Sequence, residues 1–286
     1  MSVRHRPLRS VLYIPGAKPR ALEKALGLAV DAIIFDLEDA VVPAEKAAAR
    51  ATLAEALSHD YGPRLRIVRI NALDTEWGAD DARAVAAMSC DAVLLPKVAG
   101  PDDVNDLGEI TGSLPIWAMM ETPVGILNAA AIAAHPKMQG FVMGTNDLAK
   151  DLGCRSVPDR MPMWTALQTC LLAARAAGIA AIDGVYNAFK DDEGLRAECT
   201  QGRDMGFDGK TLIHPAQVAI ANAVFAPSQD EVALASRQIA AFEQAEAQGE
   251  GVAVVDGKIV ENLHVASART LLAQAHSIAA LERATT

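Results

Sequence analysis

Residues 31–41 read DAIIFDLEDAV: four apolar residues in succession, AIIF, run straight into Asp36, Glu38 and Asp39. A strand with one face in water alternates apolar and polar side chains, whereas a strand covered on both faces is apolar throughout. AIIF therefore predicts a buried strand of a parallel sheet. Its abrupt acidic end predicts that functional groups gather where the strand stops. The same grammar recurs outward along the chain, at 11–14, 65–70, 92–96 (AVLLP), 116–120, 140–143, 180–183 and 209–213. Between these runs lie alanine-rich stretches of helical period, such as 19–30, 44–57 and 164–177, the last followed by Gly178 at a C-cap position. About eight strand-and-helix units fit a closed (β/α)8 TIM barrel, an α/β fold, better than an open sheet.

After the eighth run the pattern changes. Residues 228–248 predict a long helix, with Ser228 as N-cap and Glu231 completing a capping box. Within 251–261 the runs VAVV and KIVE flank Asp256 and Gly257, a hairpin signal, and 265–281 predicts a final helix. The expected organisation is a barrel over 1–227 that carries the catalytic groups, followed by a C-terminal helix-hairpin-helix extension over 228–286. A hairpin and two helices offer little core of their own, so the extension reads as a lid or subunit-contact arm.

A chain of 286 residues is long enough for one such barrel, which typically takes ~250. Hydrophobic residues make up 51% and charged residues 22%, with a mean hydropathy of +0.16, which excludes a disordered or fibrous chain. Subtracting 36 acidic from 26 basic residues leaves −10, with a pI near 5.1, which argues against a nucleic-acid partner. Cys90, Cys154, Cys170 and Cys199 show no C-x-x-C spacing, so neither a zinc knuckle nor a redox pair is expected. No apolar stretch reaches the ~20 residues of a membrane span and no signal-peptide core is present; a cytoplasmic protein with no membrane partner is expected.

Polar residues recur directly after the strand runs: Arg69 and Asn71, Lys97, Glu121, Asn146 and Asp147, Asp183, and Lys210 with His214 around the eighth. Glu121 and Asp147 form the sharpest pair, each following an apolar run and bordered by turn residues. Two carboxylates without histidine favour magnesium over zinc, because Mg2+ takes one or two carboxylates and completes its octahedron with water and substrate oxygens. The alternative is a capping Asp and an exposed Glu. Arg69 can aim its planar fork into the barrel mouth at a carboxylate or oxyanion, or neutralise Asp36 or Glu38, or do both. Tyr13, Lys18, Arg20 and Lys24 gather around the Pro15-Gly16 turn as a phosphate-bearing nucleotide would need, or are simply solvated helix-face groups. No serine, histidine and aspartate grouping can be assembled, which disfavours covalent catalysis.

The order of motifs resembles the CitE-like branch of the HpcH/HpaI aldolase and citrate lyase β-subunit superfamily. The residues that carry the likeness are RSVLYIPG (9–16), DAIIFDLEDAV (31–41) with Lys46 and Arg50, IVRIN (67–71), LLPKV (94–98), METPVG (120–125), GTNDLA (144–149) and GKTLIHPAQ (209–217). The resemblance implies a magnesium-binding TIM barrel, a homotrimer or dimer of trimers, acting on acyl-CoA thioesters of hydroxy acids. It further implies that Glu121 and Asp147 are the metal ligands, that Arg69 grips a carboxylate or oxyanion, and that Tyr13, Lys18 and Lys24 contact CoA; Asn146, directly after the sixth run, is expected to contact the substrate as well. In lyases of the family an aspartate of a C-terminal G-x-M-I-D pattern reaches a neighbouring subunit as acid/base; here GKIVE (257–261) ends in Glu261. One added methylene moves a carboxylate by about 1.5 Å, enough to cost ~100-fold in a positioned reaction. Glu261 is therefore expected to activate water. The tail 251–269 and DGVYNAF (183–189) are also similar to the (3S)-malyl-CoA thioesterase branch, which implies hydrolysis of that thioester to malate and CoA. Two alternatives stay open: C–C cleavage of malyl-, methylmalyl- or citramalyl-CoA, and a citrate lyase β-type subunit acting on an acyl-carrier-protein thioester.

Overall fold

The computed structural model describes residues 6–285; His5 and the remainder of 1–5, together with 286, lie outside the described residues although the sequence-based domain limits include them. The chain divides into two compact units, one spanning 8–225 and the other built on 226–284.

The first unit is a closed barrel of eight parallel strands: β1 (Ser10–Pro15), β2 (Ala32–Asp36), β3 (Leu65–Arg69), β4 (Ala92–Leu95), β5 (Ile116–Met120), β6 (Met138–Met143), β7 (Ala180–Asp183) and β8 (Gly209–Leu212), which returns to pair with β1. The strands are largely buried on both faces because helices cover the outside and side chains fill the inside. In β2, Ile33 and Phe35 belong to the core shared with the helices, where Phe35 meets Tyr61 edge-to-face at 5.1 Å. The alternate residues Ala32, Ile34 and Asp36 face the barrel interior. Parallel register sets Asp36 of β2 beside Arg69 of β3.

Most of the helices follow the predicted spans. The first ends at Ala25, not at residue 30 as its apolar content suggested, since Gly27 interrupts the period. Helix Trp164–Ala177 ends as predicted on Gly178, whose φ of 74° supplies the left-handed cap. Among the described residues no helix is long and apolar enough to cross a membrane.

In the second unit, helix Gln229–Ala247 starts on the predicted Ser228–Glu231 capping box. The hairpin β9 (Ala253–Val255) and β10 (Lys258–Val260) turns through Asp256 and Gly257, both at positive φ (51° and 75°), as a two-residue primed turn requires. Phe242, Ala245, Ala253, Val260 and Val265 form its own small core. The last helix, Asn262–Thr285, is longer at both ends than the apolar period indicated.

Candidate active site

The C-terminal ends of the barrel strands surround a cavity of ≈370 Å³. Its polar wall holds Tyr13, Asp36, Asp39, Arg69, Glu121, Asn146 and Asp147, and its apolar wall includes Met119, Met143, Val185 and Ile213. Five of the eight predicted site residues thus come together: Tyr13 from β1, Arg69 from β3, Glu121 just after β5, and Asn146 and Asp147 from the helix that follows β6.

Arg69 is the electrostatic centre of the floor. Its Nε donates to Asp36 Oδ1 at 2.8 Å and its Nη2 to Asp36 Oδ2 at 2.6 Å, a two-pronged pair that fixes the guanidinium plane. Nη1 lies 2.9 Å from Glu38 Oε2 and 3.4 Å from Asp39 Oδ2, and Tyr13 stacks beneath the guanidinium at 5.0 Å. The Nη1–Glu38 approach is an ion pair without hydrogen-bond geometry, so Glu38 Oε2 stays buried with no hydrogen bond. Burial pushes the Glu38 carboxyl up to about 7, against the pull of Arg69 and with the help of Asp39, Glu121 and Asp36. Burial likewise raises the Tyr13 phenol, opposed by Arg69. Burial works against the charge on Arg69, but Asp36, Tyr13 and Glu38 outweigh it and hold the guanidinium well above its ordinary range. Of the two readings for Arg69, neutralising Asp36 and Glu38 is thus plainly present, while the residue still lines the cavity.

Glu121 follows β5 directly and is 2% exposed. The backbone N–H of Lys97 donates to its Oε1 at 2.8 Å. The Lys97 ammonium lies 3.4 Å from the same oxygen and pairs with Asp147 Oδ2. Burial raises the Glu121 carboxyl, opposed by Lys97 through its charge and its hydrogen bonds. Asp147 sits in the first turn of helix Thr145–Leu152, with Gly144 as the preceding N-cap. A Cβ on Gly144 would fall on the Cβ and carboxylate of Glu121, so only glycine lets the turn after β6 pass this close.

Behind the floor, Lys46 ties the segment after β2 in place, donating to Leu37 O, Glu38 O and Asn71 Oδ1. Asn71 in turn donates to Asp81, which pairs with Arg50 at 2.8 Å. Asn146 exchanges amide hydrogen bonds with Asn187 across the mouth. The remaining predicted residues do not line the cavity: Lys18 is exposed and 3.8 Å from Glu45, and Lys24 is exposed on helix Pro19–Ala25. Glu261 belongs to the second unit, exposed at the end of the hairpin, where its N–H donates to His264 Nδ1.

Asp183 and Lys210 correct the expectation that polar residues at strand ends face the mouth. Both turn outward: Lys210 Nζ reaches Asp183 at 3.1 Å and Glu198 of helix Asp192–Met205 at 2.7 Å, and Arg160 pairs with Asp183 at 2.7 Å. Burial would raise the Asp183 carboxyl, but Lys210 and Arg160 outweigh it and lower it. His214 also leaves the mouth chemistry, capping the turn Pro215–Gln217 and stacking on Phe189 at 4.7 Å. Sequence reasoning left Asp36 out of the site, although its place in the run FDLED was a signal; Lys97 was noted but given no role.

Glu121 and Asp147 fit a magnesium ion. The Lys97 ammonium already gathers their oxygens around one positive charge, and a donor set of carboxylate oxygens suits a hard cation.

The HpcH/HpaI aldolase/citrate lyase family model matches residues 9–215. The chain is 66% identical to a (3S)-malyl-CoA thioesterase of Cereibacter sphaeroides, covering 96% of both chains. It is 37% identical to the citrate lyase subunit beta of Escherichia coli, covering 94% of both. Among solved structures, the CitE protein of Mycobacterium tuberculosis in complex with magnesium, acetoacetate and coenzyme A superposes with a TM-score of 0.81 at 33% identity, over 93% of this chain and 97% of that one. The barrel, the carboxylate pair at its mouth and these likenesses agree: the chain belongs to the HpcH/HpaI aldolase/citrate lyase family.

Proposed function

We propose that the chain is a magnesium-dependent thioesterase that hydrolyses (3S)-malyl-CoA to malate and CoA. The observation that carries this reading is the 66% identity to the Cereibacter sphaeroides thioesterase over 96% of both chains. The cavity supports it with two carboxylates for a hard cation, a fixed guanidinium and an apolar wall.

Glu121 and Asp147 would hold the ion, which when bound positions the malyl oxygens and polarises the acyl carbonyl. Arg69, fixed by Asp36, sets a permanent positive charge where negative charge develops on the substrate. Asn146 offers an amide donor at the mouth, Met119 and Met143 limit entry of bulk water, and Tyr13 packs beneath Arg69 beside the acyl portion. The exposed ammonium groups of Lys18 and Lys24 suit the CoA phosphates. Glu261 takes the proton from the attacking water; the water oxygen forms the new C–O bond as the C–S bond breaks, and the proton leaves with the CoA sulfur. In this reading 1–227 is the catalytic part, 228–286 an arm, and Glu261 serves a neighbouring copy in a trimer.

Glu121→Gln and Asp147→Asn test the site. Each is expected to lower magnesium-dependent thiol release by ~100-fold or more, with far-UV circular dichroism unchanged. Full turnover in either variant, or turnover unaffected by EDTA, contradicts the reading.

A further inference from the structure

Lys97 carries more constraint than a surface lysine at a strand end needs. Its φ of 56° lies in the left-handed region, which a residue with a Cβ seldom adopts without a compensating contact. The turn aims two separate groups at the same target: the backbone N–H reaches Glu121 Oε1 at 2.8 Å, and the ammonium reaches that oxygen at 3.4 Å while pairing with Asp147. If only the turn mattered, glycine would serve at lower conformational cost. The ammonium is what glycine would lose.

We propose that Lys97 is a built-in counter-cation that competes with the divalent ion for Glu121 and Asp147, so that the ion binds only as the lysine side chain swings out. This rests on the reading that these two carboxylates hold the ion. A divalent cation and an ammonium held against the same two carboxylates repel one another at close range, so the ammonium must move away as the ion binds. The two components differ in mobility: the Lys97 side chain is 42% exposed and can rotate into solvent on its four-carbon stem, whereas Glu121 is 2% exposed and held by the Lys97 backbone N–H. The backbone bond survives the exchange, so the lysine keeps Glu121 aimed while its side chain yields. Until it yields, its charge offsets the repulsion between two facing carboxylates.

The test is Mn2+ binding to the full chain without substrate, followed by electron paramagnetic resonance, for the unaltered protein, Lys97→Met, Lys97→Gly and Glu121→Gln. Both Lys97 variants are expected to bind Mn2+ ~10-fold more tightly than the unaltered protein, the gain when a competing state of about 90% occupancy is removed. Lys97→Gly also relieves the left-handed backbone, so a fold defect in Lys97→Met alone would not decide the result. Equal or weaker binding by both Lys97 variants, with binding lost in Glu121→Gln, overturns the competition while leaving the ion site intact. Absence of saturable binding in every chain overturns both.

Discussion

Around Arg69 three carboxylates share one guanidinium, and they do not share it equally. Asp36 takes the fork in two hydrogen bonds, while Glu38 meets Nη1 without a directed bond and its carboxyl rises to about 7 from the usual 4.5. A carboxyl that binds its proton more tightly when folded contributes stability that is fully present below pH 4.5 and is lost as the pH rises to about 7. Glu38→Gln, which cannot ionise, should therefore gain on the unaltered protein by about 2 kcal/mol between pH 5 and pH 8. Urea unfolding at the two pH values checks this; stabilities that run parallel would show that Glu38 titrates normally.

At the scale of elements, the site is made by turns that follow strands, and the turn after β6 passes directly against Glu121. Gly144→Ala would place a methyl group on the Glu121 carboxylate. The expected result is a ~100-fold loss in kcat/KM and weaker metal binding, with a stability loss of only about 1–3 kcal/mol. Unchanged kinetics would mean that Glu121 is free to move. The apolar runs and the polar residues after them made the barrel legible in the sequence, and with it Arg69, Glu121 and Asp147. Which way a strand-end side chain points was not legible. Asp183 is two residues from Ala181 and so shares its face, which packs against the helices, and it joins Lys210 and Arg160 there and not at the mouth. The role of Lys97 was hidden for a related reason: its positive φ goes with the bond from its N–H to Glu121, a residue 24 positions away, and nothing in LLPKV announces it.

For the whole molecule, the second unit packs Phe242, Ala245, Ala253, Val260 and Val265 together yet leaves Val254 and Ile259, cross-strand partners on the hairpin, 67% and 60% exposed. An apolar pair left open in this way accords with an arm that works in an assembly. If Glu261 serves a neighbouring copy, co-expressed Glu121→Gln and Glu261→Gln chains, each inactive alone, should recover about a quarter of full activity through sites built from one intact residue of each. No recovery would place both residues of a site on one chain. The central claim, hydrolysis, is tested most directly by incubating the purified protein with (3S)-malyl-CoA and magnesium while free thiol, malate and glyoxylate are followed together, with and without EDTA. Thiol and malate in equal amounts, no glyoxylate, and no reaction with EDTA are the predicted result; glyoxylate with acetyl-CoA and no free thiol would contradict it and identify a C–C lyase.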